Sequence, residues 1–237
     1  MEEEKEEKVM VTVKNHPNFQ GVFVVEDLEG KKLATENLVP GTKVYGEQLY
    51  QFEKKEYRVW DVFRSKLAAS IEKGIKEVPI KEGTYVLYLG AASGTTPSHV
   101  SDIVGEKGKV FCVEFAPRVM RELLEVTALR SNMIPILADA RIPISYRAFV
   151  EMVDTIYCDV AQPEQAKILV DNAEVYLRKK GKIMIAIKAR SVDVTKEPTE
   201  VFKKEIKIME DRGIKVLDVK RLDPFDKDHA MVLGEFL

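Results

Sequence analysis

The run YLGAASGTTPSHV, residues 88–100, decides the fold. An apolar segment, TYVLYLG (84–90), leads into it, small residues turn it, and a helical pattern leaves it. A strand, a small-residue turn and a helix in that order make the ligand-binding turn of a parallel βα unit. The turn is not G-x-G-x-x-G. After Gly90 the next expected glycine position holds Ala92, and only Gly94 follows. Thr96 reads as the N-cap of the helix with Pro97 at its first position, which leaves backbone N–H groups facing the loop.

Downstream, apolar runs recur at KVFCVEF (109–115), MIPILAD (133–139), VDTIYCDV (153–160) and KIMIAIKAR (182–190). Helical patterns separate them, among them PRVMRELLEVTALRSN (117–132) and PEQAKILVDNAEVYLRKKG (163–181). Continuous apolar strands alternating with helices predict a parallel sheet covered on both faces. After a last helix, PTEVFKKEIKIMEDRG (198–213), the strands IKVLDVKRL (214–222) and HAMVLGEFL (229–237) are joined by a loop alone. Without a crossover helix they are antiparallel. A mainly parallel sheet with a reversed last strand is the α/β architecture of Rossmann-like class I methyltransferases.

Upstream, residues 9–60 alternate apolar and polar, with breaks at HPNFQG, LEGKK and VPGTK. That period predicts hairpins of a small antiparallel sheet. The expected organisation is an N-terminal β domain over 1–56, structural or partner-docking, and a methyltransferase domain over 57–237.

Composition limits the partners. The chain has 237 residues, 45% of them hydrophobic, with 37 Lys and Arg against 39 Asp and Glu. The first eight residues, MEEEKEEK, carry a net −3, so the rest carries +1. A stand-alone nucleic-acid binder shows a clear basic excess, so any RNA here is expected to be held largely by something else. Charged residues at 32% and sparse Asn, Gln and Cys lean toward a thermophile's composition. No apolar run approaches the ~20 residues of a membrane helix, and MEEEKEEK is the reverse of a signal peptide. The expected setting is the cytoplasm, with no membrane contact. Cys112 and Cys158 lie in apolar runs without C-x-x-C spacing, which predicts buried free thiols.

The loop and the strand ends together indicate a cofactor. The second glycine of a dinucleotide motif lets the backbone close on a pyrophosphate, and Ala92 would crowd that approach. S-adenosylmethionine has no phosphate, so the loop fits it better than NAD. Glu114 closes the next strand twenty-four residues after Gly90, where a carboxylate can accept both ribose hydroxyls. Asp139 closes the third strand, where it can accept from the adenine amino group.

At CDVAQPEQA the chain resembles fibrillarin, the 2′-O-methyltransferase of box C/D ribonucleoproteins. YLGAASGTTPSHVSDIVG, VEFAPRVMRELL, FRSKLAASI, IAIKARSVDVT and DHAMVLGEF carry the same resemblance, which runs from about Tyr57 to the C-terminus. The Gly/Arg-rich tail of the eukaryotic proteins is missing, which points to an archaeal member. The resemblance implies that S-adenosylmethionine contacts Gly90, Ala91, Thr95, Thr96, Glu114, Phe115, Asp139, Ala140, Asp159, Val160, Ala161 and Gln162. It puts the family's Lys-Asp-Lys-His catalytic set on Lys66, Asp159, Lys188 and His229. As partners it implies a Nop-domain scaffold, a kink-turn-binding protein like a ribosomal protein, box C/D guide RNA, and rRNA or tRNA as substrate.

Strand direction gathers part of this set independently. Asp159 and Lys188 close parallel strands at their carboxyl ends, and His229 opens a reversed strand, so all three lie at one edge. Lys66 precedes the first strand. Methyl transfer to a ribose hydroxyl requires that the nucleophile be oriented and its proton managed. Lys188 is the expected base or steering group, with Asp159 orienting it and favouring the sulfonium. Lys66 and His229 are expected to position the ribose and a neighbouring phosphate. His99 and His16 read as structural, and FDKDH calls for no metal in this chemistry. Two other readings stay open: a non-catalytic assembly subunit, and an enzyme whose acceptor is a protein side chain.

Overall fold

Period-two alternation before residue 57 and apolar runs after it demand different sheets, and the chain builds both. The computed structural model describes residues 11–237. The acidic start MEEEKEEK and the first two residues of the expected VMVTVKN strand lie outside the described residues. Among the described residues the upstream segment forms β1 (Thr12–Asn15), β2 (Phe23–Asp27), β3 (Gly30–Glu36), β4 (Leu49–Phe52) and β5 (Lys55–Val59). They pair antiparallel in the order β1-β2-β3-β5-β4. The small sheet thus runs to Val59, past the expected boundary at 56.

The remainder alternates: α1 (Lys66–Glu72), β6 (Tyr85–Leu89), α2 (Thr95–Val104), β7 (Lys109–Glu114), α3 (Pro117–Thr127) and β8 (Met133–Leu137). There follow β9 (Val153–Cys158), α4 (Gln165–Tyr176), β10 (Leu177–Lys188), α5 (Ala189–Val192), α6 (Pro198–Glu210), β11 (Ile214–Arg221) and β12 (His229–Phe236). These strands form one sheet in the order β11-β12-β10-β9-β6-β7-β8. From β8 to β10 every neighbour is parallel, while β12 runs antiparallel to both β10 and β11. The order reverses between β6 and β9, the switch point where ligands bind in such sheets.

Two apolar layers cover the sheet. Leu87, Leu89, Ile156 and Ile185 on one face pack against Ile168 and Leu169 of α4 and Val201 and Phe202 of α6. On the other face Val86, Tyr88 and Tyr157 pack with Leu67 of α1, Val100 of α2 and Leu123 of α3. Strands buried on both faces explain why the runs read as continuous and not alternating. Leu89 is fully buried, so Leu89→Ala would cost about 2–5 kcal/mol in lost transfer energy and cavity.

Phe19, Val22, Leu33 and Trp60 from the small sheet and its flanks join that second layer, so one core runs through both sheets. Cys112 and Cys158 are free and buried, and burial pushes both thiols up, Cys158 to about 12. No described helix is long and apolar enough to cross a membrane.

Candidate active site

A cavity of about 330 Å³ opens at the carboxyl ends of the parallel strands, lined by residues that follow β6, β7, β8, β9 and β10. Gly90 forms its floor at the switch point. Its φ is +80°, and a Cβ there would lie 2.8 Å from the carbonyl oxygen of Asp159. The two strand ends are therefore packed backbone to backbone, with the Asp159 N–H donating to the Leu89 carbonyl at 2.9 Å. Only glycine meets both demands.

The loop after Gly90 is held in a glycine-like shape despite its sequence. Ala92 has φ +48°, and its N–H donates to Glu114 at 3.0 Å. The other Glu114 oxygen accepts the Ala116 N–H at 2.9 Å. One buried carboxylate thus ties the loop after β6 to the loop after β7, with lone pairs left for a ligand. The expected cap is corrected here. Gly94, at φ +94°, is the N-cap of α2, with no side-chain hydrogen bond, so the helix begins at Thr95 and Pro97 is its third residue. The left-handed cap starts the helix two residues early, a conformation that glycine adopts at no steric cost.

That shift moves two residues away from the cavity. Thr96 is buried, and its hydroxyl donates to Ser65 at 2.9 Å, the residue that caps α1. Thr95 lines a separate depression with Tyr45, Arg64 and Glu122. Ala91 is buried in the apolar layer beneath. Gly90, Glu114, Phe115, Asp139, Ala140, Asp159, Val160, Ala161 and Gln162 all line the cavity. So does Arg141, which sequence reasoning passed over. Its guanidinium grips Asp139, with Nη2 at 2.6 Å and Nε at 2.9 Å from one oxygen. Those hydrogen bonds hold the Asp139 carboxyl below its usual range.

Beside the cavity lies a chain of alternating charge. Lys188 ends β10, and its Nζ donates to the Asp159 carbonyl and lies 3.0 Å from Asp159 Oδ1. That Oδ1 is buried and receives no hydrogen bond, so the 3.0 Å contact is an ion pair off the hydrogen-bonding direction. The other oxygen of Asp159 is 3.5 Å from Nζ of Lys66, the first residue of α1. Lys66 lies equally far, 3.5 Å, from Oδ2 of Asp226, whose Oδ1 is 2.8 Å from Nδ1 of His229. The antiparallel register sets Lys188 opposite His229. Strand ends, one helix start and one loop thus converge on a single edge. Asp226 was missed because FDKDH had been weighed only for metal, while its place in the chain depends on how the β11–β12 loop folds back.

The lining fits S-adenosylmethionine by its own chemistry. Apolar Val113, Ala138 and Ile168 flank two carboxylates: Glu114, which keeps free acceptor capacity, and Asp139, whose oxygens are engaged by Arg141. The Asp159 carboxylate, paired with Lys188, adds negative charge to the cavity wall.

The chain is similar to known proteins over nearly its whole length. The sequence model of the Fibrillarin family matches residues 13–237. A "Fibrillarin-like rRNA/tRNA 2'-O-methyltransferase" of Staphylothermus marinus is 55% identical over 228 residues, covering 96% of this chain and 97% of the relative. The crystal structure of Aeropyrum pernix fibrillarin with natively bound S-adenosyl-L-methionine superposes with a TM-score of 0.90 at 56% identity, covering 95% of this chain and 99% of that one. A fibrillarin from a fibrillarin/Nop5p complex superposes with a TM-score of 0.84 at 41% identity, covering 92% of this chain and 99% of that one.

Proposed function

The chain belongs to the fibrillarin family, and from that premise we propose that it transfers a methyl group from S-adenosylmethionine to the ribose 2′-hydroxyl of guide-selected rRNA and tRNA nucleotides. The observation that carries the reading is the charge chain Lys188–Asp159–Lys66 beside a cavity floored by Gly90.

The residues divide the work. Glu114 would accept the ribose hydroxyls of the cofactor, Asp139 its adenine amino group, and Phe115, Ala140, Val160, Ala161 and Gln162 would enclose it. Asp159 would favour the sulfonium through its negative charge. Bound there, the cofactor supplies a methyl already activated by positive charge. Lys188, gripped by two oxygens of Asp159, acts as a hydrogen-bond donor that steers the acceptor hydroxyl. Lys66 and His229 position the acceptor ribose and its phosphate.

The near-neutral charge supports delegated recognition, since few phosphates could be neutralised by this chain alone. A Nop-domain scaffold, a kink-turn-binding subunit and box C/D guide RNA would hold the target.

The deciding experiment is a transfer assay with labelled S-adenosylmethionine and a defined RNA, comparing the chain alone with the reconstituted complex and matching guide. Site-specific ribose labelling only in the complex is expected. Labelling by the chain alone would show that it recognises RNA unaided. Intact cofactor binding without any transfer would leave an assembly subunit.

A further inference from the structure

Asp226 sits where two cations need one acid. It lies 3.5 Å from Lys66 and 2.8 Å from His229 Nδ1, in the loop that carries the chain from β11 into β12. The same Nδ1 lies 2.6 Å from the backbone carbonyl of Lys227. A carbonyl oxygen can only accept, and an ionised carboxylate can only accept. Nδ1 therefore carries the ring proton and donates it to the Lys227 carbonyl, the Asp226 contact lying off the hydrogen-bonding direction. Neutral His229 is then the Nδ1–H tautomer with Nε2 as its open acceptor. The tautomer is set by what the other nitrogen bonds, a general property of imidazole.

The rest of the surroundings holds the ring at the reaction edge. Lys188 is its register partner on β10. Lys66 faces it through Asp226, and Asp159 faces both lysines. Asp228, the residue before His229, is occupied by the Arg190 guanidinium at 3.0 Å. Lys188 donates to the Asp159 carbonyl, so its Nζ is engaged as a donor. Asp159 Oδ1 is unbonded but buried, which leaves Nε2 of the partly exposed His229 side chain as the acceptor a substrate can reach.

We propose that Asp226 is a positioning residue for methyl transfer, holding its carboxylate against His229 so that Nε2, left open by the Nδ1–H bond to the Lys227 carbonyl, receives the proton of the ribose hydroxyl. This rests on the methyltransferase reading above. In the step, the ribose oxygen forms its bond to the methyl carbon and the carbon–sulfur bond breaks with its electron pair left on sulfur. The hydroxyl proton passes to Nε2. The imidazolium so formed faces the Asp226 carboxylate, which stabilises it as the acid of a nucleophile–base–acid set does.

Two measurements test the assignment. The first uses the wild-type chain labelled with ¹⁵N-histidine, whose ring nitrogens report the tautomer directly; the spectrum of His229→Gln identifies the His229 signals. Protonated Nδ1 and unprotonated Nε2 at neutral pH are expected, and the Nε2–H tautomer would overturn the proposal whether or not any variant folds.

The second follows single-turnover transfer by the reconstituted complex for wild type, Asp226→Asn and Asp226→Glu, with cofactor affinity measured alongside. The transfer rate of Asp226→Asn should fall on the order of 100-fold, at an unchanged cofactor Kd. Asp226→Glu should restore much of the rate. An unchanged rate in Asp226→Asn would refute the role, as would a fall in rate matched by a loss of cofactor binding. A wild-type complex without transfer would overturn the methyltransferase reading instead, and the tautomer spectrum separates the two failures.

Discussion

Two networks of alternating charge run through this molecule, one sealed and one open. The sealed network joins the small sheet to α2. Asp102, its carboxylate fully buried, accepts from Arg58 at 2.9 Å, Arg130 at 2.6 Å, the Thr35 hydroxyl at 2.7 Å and the Leu38 N–H at 3.0 Å. Arg58 spends its other donors on Glu47 at 2.7 Å and Ser98 at 2.9 Å. His99 is shut inside the same contact, stacked on Trp60 and bonded through its two nitrogens to Thr35 and Tyr45. The open network is the run from Lys188 to His229, with two 3.5 Å ion pairs and one carboxylate oxygen that receives no hydrogen bond.

The difference separates structure from chemistry. A buried charge is tolerable only when its hydrogen-bonding capacity is filled. In the sealed network it is filled, and the result is a joint that clamps Ser98 in the first turn of α2, just behind the cofactor loop. The open network keeps its side chains partly exposed at the cavity edge, where a ligand can reach them. Similar residue types thus do opposite work, and what sorts them is whether solvent or substrate can reach the lone pairs.

The largest effect should come from the open side. Lys188→Ala in the complete complex should cut transfer by about 10³-fold or more, roughly 4 kcal/mol of barrier, with cofactor affinity nearly unchanged by calorimetry. Retained turnover would erase the distinction, because the open network would then be as structural as the sealed one.

Asp102→Ala should leave Arg58 and Arg130 buried without their acid and cost about 3–5 kcal/mol in denaturant unfolding. The exposed pair Lys107–Glu82, at 3.3 Å, serves as control, and Lys107→Ala should change stability by less than about 0.5 kcal/mol. If the two variants lost similar stability, burial would not be what makes the sealed network matter.

Gly90→Ala tests the floor between the networks. Its left-handed φ and the 2.8 Å approach to the Asp159 carbonyl predict a loss of about 1–3 kcal/mol in stability. Weaker cofactor binding should accompany it, read by calorimetry. A neutral variant would mean that the β6 and β9 ends can separate freely.

The smallest effect is a pH dependence. Burial first, then the nearby Arg58 and Arg130 charges, hold the His99 pKa well below 6.5. The unfolded chain therefore binds a proton here that the folded chain refuses. Its contribution to stability is whole above pH ~6.5 and is lost as pH falls below that, by up to about 1.4 kcal/mol per unit. Unfolding curves at pH 7, 6 and 5 should show this slope, and His99→Gln should flatten it. An unchanged slope would place the acid sensitivity elsewhere.

How much of this was legible beforehand follows the kind of information each residue carries. The strand runs from TYVLYLG to KIMIAIKAR could be read as a parallel sheet because burial on both faces needs unbroken apolar residues. The reversed last strand could be read from the missing crossover helix. His99 could be read as packed, but not as the centre of a joint, since its partners Thr35 and Tyr45 lie 64 and 54 positions away. The start of α2 was misread because Thr96-Pro97 is a good capping pair, and the glycine before it supplied a better one. Ala92 looked like a barrier to phosphate, and the structure adds that it is held in a left-handed turn by Glu114.

By itself the amino-acid order determined the sheet, its polarity and the edge at which Asp159, Lys188 and His229 gather, because apolar periodicity and connection length act locally along the chain. Only the tertiary structure decided which charges pair with which. Asp226 meets Lys66 across 160 residues of sequence, and Asp102 meets Arg58 across 44. Ion pairs depend on distances of a few ångströms between elements that pack for other reasons. No spacing along the chain encodes those distances.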